Sequence, residues 1–303
     1  AARDDDGFAL IWQKHGANPQ RRTARPAWRG GEDLSGRTIL LWREQGFGDQ
    51  IQFARYASAV AALGARVLLE VDRPLVRLMA GLEGVAGIKA ADTPFDDAEF
   101  DAQCPLMSLP LAFGTTLDEI PGRVPYLRPP EAVLTAWRER LGAATGRPRI
   151  GIAWSGHPGH AEDRQRSLAL ARLAPFLDPR AEWISLQRDV REGDRAALAG
   201  LRHFGAQLED FADTAALCAQ CDLVIAVDTS VAHLAGALGR PVWILLPFAA
   251  DWRWLVGRTD SPWYPTARLH RQPTPGDWAG VLAEVGRDLR AWLTAWPRAK
   301  RET

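Results

Sequence analysis

CDLVIAVDTSVAHLAGALGRPVWILL, residues 221–246, reads as a strand, a helix and a second strand in direct succession. The apolar run DLVIAV carries no polar alternation, which suits a strand buried on both faces. VAHLAGALG has helical spacing and closes on Gly239, a residue suited to the left-handed backbone at a helix end. PVWILL is again continuous and apolar. A strand, crossover helix and strand of this length make a parallel pair within a helix-covered sheet.

The chemistry of this stretch lies at its first turn. The strand ends in Asp228-Thr229-Ser230 and the helix starts at once, so hydroxyls and free backbone N–H groups converge on a positive helix end, a site prepared for phosphate. His233, in the first turn, adds a donor toward the same anion. Capping by Asp228 or Thr229, with His233 packed inside, is the plain alternative. It does not explain why cap, hydroxyls and histidine coincide at a strand end.

The same alternation extends in both directions. Upstream, RIGIAWSG is a strand running into a glycine turn, ARLAPFL a helix, AEWISLQ a strand and TAALCAQC a helix. Downstream, residues 276–296 place Trp278, Val281, Leu282, Val285, Leu289, Trp292 and Leu293 at helical spacing, an amphipathic final helix. The strand ending at Trp154-Ser155-Gly156 leads into a polar loop with His157, His160, Arg164 and Arg166. Arginine offers a planar fork to phosphate oxygens. The two histidines lack a clear third ligand and read as loop decoration, so no metal is expected, and an arginine loop with a helix N-terminus can neutralise a diphosphate without one. Gln187, at another strand end, suits a nucleobase hydrogen bond or a surface role. Trp252, Trp254 and Trp263 in DWRWLVGRTDSPWYP suit a stacking wall for sugar or base, or packing between domains.

In the first half, the strand expected at 38–42 enters the turn Gly46-Phe47-Gly48, followed by a helix over about 49–63, a strand at 66–71, a helix in RPLVRLMAGL and a weak strand near GIKA. With Glu70 ending the second strand, this turn partly imitates a dinucleotide fingerprint, but Ile51 stands where the third glycine belongs. Asp49 has two readings, an N-cap or a group at a strand's C-terminal end that takes part in chemistry. The sequence physics leaves both open. Two such α/β halves predict two doubly wound domains whose strand ends share a cleft. The expected divisions are 1–34, a linker or the tail of a preceding module; 35–128, the first domain; 129–146, a linker; 147–275, the second domain; and 276–303, a final helix and tail. No internal repeat of 20 to 50 residues is visible.

Composition sets the outer bounds. A chain of 303 residues, 47% hydrophobic, can bury cores for two domains of ordinary size. Lys plus Arg and Asp plus Glu are 37 each, so no global field draws the chain to nucleic acid or a membrane surface. Any charged ligand must be met locally. Three cysteines are too few for a disulfide framework, and with no apolar run of spanning length and no signal sequence a cytoplasmic protein is expected. Cys218 and Cys221 read as helix packing, since no second pair or ligand histidines accompany them. The chain opens on Ala and reads as a piece of a longer one.

Taken in order, EQGFGDQIQFARY, AWSGHPGHAEDRQRSL, DTSVAHLAGALGRPVWILLP and DWRWL...SPWYP resemble GT-B glycosyltransferases related to the ADP-heptose:lipopolysaccharide heptosyltransferases, and more specifically the glycosyltransferase domains that follow tetratricopeptide repeats in bacterial proteins. The likeness covers about residues 26–296. It implies a GT-B fold of two Rossmann-like domains, a first domain on the acceptor side and a second that binds a nucleotide-sugar. It also implies inverting, metal-independent transfer to a hydroxyl, with no cofactor beyond the donor. Asp49 matches the family's catalytic base. Arg166 matches a basic residue on the donor phosphate, where heptosyltransferases use Lys, and the Asp-Thr-X-X-X-His pattern implies donor-phosphate roles for Thr229, Ser230 and His233, with Asp228 capping or positioning. Gly46, Gly48, Trp154, Ser155, Gly156 and Gln187 complete the expected donor site. Some members of the repeat-linked group modify flagellin, so a Ser or Thr of a protein such as flagellin, recruited by an N-terminal repeat module, is the expected acceptor. DGFALIWQKH would be a remnant of that module. The chain carries little sign of the heptosyltransferases' lipid-core acceptor region, and a lipopolysaccharide or other glycan is the second acceptor class. A nucleotide-binding module without catalysis is the reading from a different class.

Overall fold

The computed structural model describes residues 23–159 and 162–299. The DGFALIWQKH segment and His160 fall outside them. Two compact units divide the described residues: those up to 130 with 210–212, and those of 131–209 with 213 onward.

The first unit contains β1 (Thr38–Trp42), α1 (Phe47–Phe53), α2 (Ala57–Ala62), β2 (Arg66–Val71), α3 (Arg73–Met79), β3 (Val85–Ala90) and β4 (Ala102–Pro105). Its sheet is parallel throughout, in the order β3-β2-β1-β4. The chain moves outward from β1 to β3 and then returns to the other side of β1. That reversal creates a switch point between the C-terminal ends of β1 and β4, where open α/β sheets place ligands. β1 is buried along Ile39–Trp42. Its neighbour β4 was not expected from AQCP, because a four-residue strand containing Gln103 and Pro105 has no apolar pattern of its own. The helix expected over 49–63 starts at Phe47 and passes through a tighter turn at Ala54–Tyr56 before α2.

The described residues before Thr38 pack against the first unit instead of running free as a linker. Ala27 pairs with Gln103, and Trp28 and Leu34 are 5% and 1% exposed. Trp28 lies edge-on to Phe113. Their apolar area outweighs the polar composition around them.

The second unit contains α4 (Glu131–Leu141), β5 (Arg149–Ala153), α5 (Asp163–Arg166), β6 (Glu182–Ser185), β7 (Arg202–His203), β8 (Leu223–Val227), α7 (Ser230–Ala237), β9 (Val242–Leu246), β10 (Ala267–Arg271) and α8 (Trp278–Ala299). Between β7 and β8 runs α6 (Phe211–Ala219), whose first two residues fall with the first unit. The sheet is parallel in the order β10-β9-β8-β5-β6-β7, with its switch point between β5 and β8. The apolar stripe of α8 is buried as its spacing predicts: Trp278, Val281, Leu282, Val285, Leu289 and Leu293 join Ile150, Ile152, Trp183, Ile225 and Trp243 in one core. α4, expected inside a linker, buries Trp137 and Leu141, and the Trp137 indole donates to Asp213 Oδ1 at 2.9 Å. A helix with a buried tryptophan is part of the core it covers. Cys218 and Cys221 are fully buried, and burial pushes both thiols well above the ordinary range, which fits packing.

Candidate active site

The second switch point gathers most of the expected donor residues. Ser155 and Gly156 follow β5, and Asp228 and Thr229 follow β8, the strand beside it. Arg166, at the end of α5, bridges the two loops: its Nη1 donates to the Asp228 carbonyl at 2.9 Å. The guanidinium lies flat on Gly156, where a Cβ would come within 2.8 Å of Nη2. A side chain there would push the Arg166 guanidinium out of its place. A second arginine, Arg191, donates to the Gly156 carbonyl at 3.1 Å and to Asp163 Oδ2 at 2.6 Å, while the Gly156 N–H donates to Ser167 Oγ at 2.9 Å. Thus the loop after β5 is held by Arg166 and Ser167 from the segment that follows it and by Arg191 from beyond β6.

Thr229 occupies the N-cap position of α7, yet its hydroxyl makes no capping bond. That hydroxyl and Arg166 Nε are both buried without a partner in the protein. An unmet buried donor costs about 1–3 kcal/mol, more when charged, so each is poised for an acceptor. Ser230, half-buried, opens the helix beside them.

His233 is 2% exposed and stacked on Trp254, ring centroids 5.2 Å apart. Its Nδ1 bonds the Tyr264 hydroxyl at 2.9 Å, and its Nε2 lies 3.5 Å from Arg253 Nη1 and 3.9 Å from Asp228 Oδ1. Burial, aided by the charges of Arg253 and Arg166, holds its pKa well below the usual histidine range. The ring is therefore neutral at pH 7, and with Arg253 donating toward Nε2 it orients that arginine. Burial raises the Asp228 pKa, an effect opposed by Arg253 and Arg166. Arg271 also reaches this cluster: burial lowers its pKa while Asp228 raises it.

Four expectations change. His233 is packed inside with both ring nitrogens engaged by Tyr264 and Arg253, so it backs Arg253 and does not itself donate to an anion. Trp154 is fully buried with its indole donating to Asp194 Oδ2 at 2.8 Å, so its side chain belongs to the core and not to a ligand surface. Gln187 accepts from the Ser155 N–H and donates to Ser155 Oγ, both at 3.2 Å, so its amide ties neighbouring strand ends together instead of standing free for a base. Trp254 and Trp263 are fully buried within the second unit, as backing for His233 and Trp252 respectively, and neither presents a stacking face. Arg253, Arg271, Tyr264, Arg191 and Asp163 were missed. Arg253 had a signal, as the charge between two tryptophans of DWRWL.

Gly46, Gly48 and Asp49 lie in the first unit, apart in the chain and in domain from the other donor candidates. Gly46 is the N-cap of α1 and Asp49 lies in the helix's first turn, so Asp49 is not the cap residue. Gln50 clasps the turn: its amide donates to the Gln45 carbonyl at 2.9 Å and to Asp72 Oδ2 at 2.7 Å, and its oxygen accepts from the Asp72 N–H at 2.8 Å. Across the switch point, the Met107 N–H beyond β4 donates to Glu44 Oε2 at 2.9 Å. Burial raises Glu44 to a pKa of about 7, against that hydrogen bond and with help from the Asp49 charge. Two carboxylic acids thus share this turn, one of which holds a proton into the neutral range.

Set beside known proteins, residues 206–245 match the family described as glycosyltransferase family 9 (heptosyltransferase). The matched segment contains β8 and the Asp228-to-His233 turn. The chain is 28% identical over 284 residues to protein FlbA of Caulobacter vibrioides, covering 86% of this chain and 47% of FlbA. It therefore spans about half the length of that relative. Among solved structures, a family 9 glycosyl transferase from Veillonella parvula superposes with a TM-score of 0.63 at 11% identity, over 87% of this chain and 99% of that one. The ADP-heptose lipopolysaccharide heptosyltransferase II of E. coli gives 0.59 at 15% identity, over 86% and 99%. At such identities the likeness shows the fold, an α/β architecture of the GT-B glycosyltransferase kind. Family match and fold together support a glycosyltransferase. No helix among the described residues is long and apolar enough to cross a membrane.

Proposed function

We propose that this chain is the transferase part of an inverting, metal-independent glycosyltransferase that moves a sugar from a nucleotide-sugar to a hydroxyl, with the donor on the second unit and the acceptor on the first. The observation that carries the reading is the pair of buried, unpartnered donors, Arg166 Nε and Thr229 Oγ1, at the switch point of the second sheet. As the glycosidic bond breaks, its electron pair goes to the phosphate oxygen. Arg166, the Thr229 and Ser230 hydroxyls and the α7 N-terminus stabilise the charge that develops there. Asp49 takes the proton of the acceptor hydroxyl, whose oxygen attacks the anomeric carbon from the face opposite the phosphate. A well-placed general base of this kind is worth about 10²–10⁴ in rate.

The acceptor in this proposal is a Ser or Thr of a protein such as flagellin, delivered by a repeat module N-terminal to the chain, and the setting is the cytoplasm. A lipopolysaccharide acceptor is the second reading, favoured by the heptosyltransferase named among the structural relatives. A thermal-shift panel with ADP, UDP, GDP, CMP and NAD tests the donor. One nucleotide should raise the midpoint, by an amount equivalent to about 2.7 kcal/mol at 100 times its Kd. Stabilisation by NAD alone would overturn the reading. With the donor class known, intact mass of flagellin and glycan analysis of lipopolysaccharide decide the acceptor, and a chain that binds nucleotide but transfers nothing is a binding module.

A further inference from the structure

The edge strand of the second sheet carries a cluster that shares no residue with the donor site. His270, on β10, is fully buried and packs beside the Trp243 ring, centroids 5.4 Å apart. Its Nδ1 faces two carboxylates of α8, Glu284 Oε1 at 3.2 Å and Asp288 Oδ2 at 4.0 Å. Nε2 has no hydrogen-bond partner, and the Nδ1 contact with Glu284 is at ion-pair distance without good hydrogen-bond alignment. A buried imidazole aimed at two carboxylates without a well-aligned bond is an expensive arrangement unless something else satisfies it.

Helix geometry explains how the carboxylates meet. Glu284 and Asp288 are four residues apart, so they lie on one face of α8, and that face is turned to β10. One ligand atom from each of the three residues lies within 4.8 Å of the other two. Bonds of about 2.1 Å in a tetrahedral centre set ligand atoms about 3.4 Å apart. The His270–Glu284 spacing already fits, and the His270–Asp288 spacing needs a shift well within carboxylate rotamer reach. Arg268 pairs with the same Asp288 oxygen, so a bound cation takes that oxygen from the guanidinium, while Glu284 faces the ring itself.

We propose that His270, Glu284 and Asp288 form a binding site for a first-row divalent transition metal of the Zn²⁺ class, which clips the final helix to the edge strand. One imidazole nitrogen and two carboxylate oxygens are a donor set such ions accept, with water completing the coordination. The site is structural: metal binding draws its free energy from joining two elements that the unfolded chain separates.

The test is calorimetric titration of the 303-residue chain, after chelator treatment, with ZnCl₂. The expected result is one Zn²⁺ per chain and a higher melting midpoint with metal than without. Glu284→Gln and Asp288→Asn should each weaken binding at least about 10-fold. Both side chains are partly exposed, 35% and 23%, so these near-isosteric variants should fold, which their metal-free midpoints verify. His270→Asn provides a third, buried arm. Absence of Zn²⁺ uptake by the parent chain, or equal affinity in the two carboxamide variants, would reduce the cluster to an ordinary His–Glu–Asp–Arg ion network and overturn the proposal.

Discussion

Arg166 ties two loops of the second unit together at the place where the proposal puts the donor phosphate. It fixes the Asp228 carbonyl, rests on Gly156 and keeps Nε buried without a protein acceptor. Truncating it removes a charge-assisted contact worth about 1.5–3 kcal/mol, so Arg166→Ala should weaken nucleotide binding about 10- to 100-fold in a titration. Asp49→Asn tests a separate role. Donor affinity should stay at the parent value while turnover falls by about 10²–10⁴, and unchanged turnover would remove the base assignment. Glu44 supplies a pH signature. Its folded pKa, about 7, lies above the ordinary value of 4.5, so the folded chain holds a proton that the unfolded chain releases. Stability from this group is therefore full below pH 4.5 and is lost as pH rises toward and through 7. Urea melts of Glu44→Gln at pH 5 and pH 8 should show the variant gaining on the parent by roughly 1–3 kcal/mol over that interval. The sequence reading singled out Asp49 at a strand's C-terminal end and Arg166 in the polar loop after β5, and the family resemblance supplied the role expected of each. It could not find the Glu44 shift, which depends on burial and on the Met107 N–H contributed from beyond β4.

At the scale of the element, α7 depends on the approach of its neighbour. A Cβ on Gly236 would lie 2.4 Å from the Tyr264 ring, so glycine in mid-helix lets Tyr264 reach His233. Gly236→Ala should cost about 1–3 kcal/mol by overpacking, despite alanine's better helix propensity, and a thermal melt will show it as a lowered midpoint. An unchanged midpoint would mean that the Tyr264–His233 contact is not tightly held. Helix α8 and strands β1, β5, β8 and β9 were legible because each carries its own apolar pattern. β4 and β10 were not, since AQCP and ARLHR become strands only by pairing with β1 and β9.

For the whole molecule, the proposal divides labour between two units. Hydrogen exchange with saturating nucleotide should slow at the turns after β5 and β8 and leave the first unit's sheet at its free rate. Protection centred on the Gly46–Asp49 turn instead would assign the nucleotide to the other unit. The net charge of zero makes the positive site of the second unit a local construction of Arg166, Arg253 and Arg271 around Asp228, which overall composition conceals.

The sequence by itself determined the alternation of strands and helices, the two α/β halves and the turns at which the proposal places its chemistry, because these follow from local apolar periodicity and from glycine and hydroxyl residues at strand ends. Only the tertiary structure decided which polar groups at those turns are already satisfied. Trp154 and Gln187 are turned inward by Asp194 and Ser155, whereas Arg166 and Thr229 keep a donor each. Hydrogen bonding and burial between residues distant in the chain set that difference, and local pattern carries no record of them.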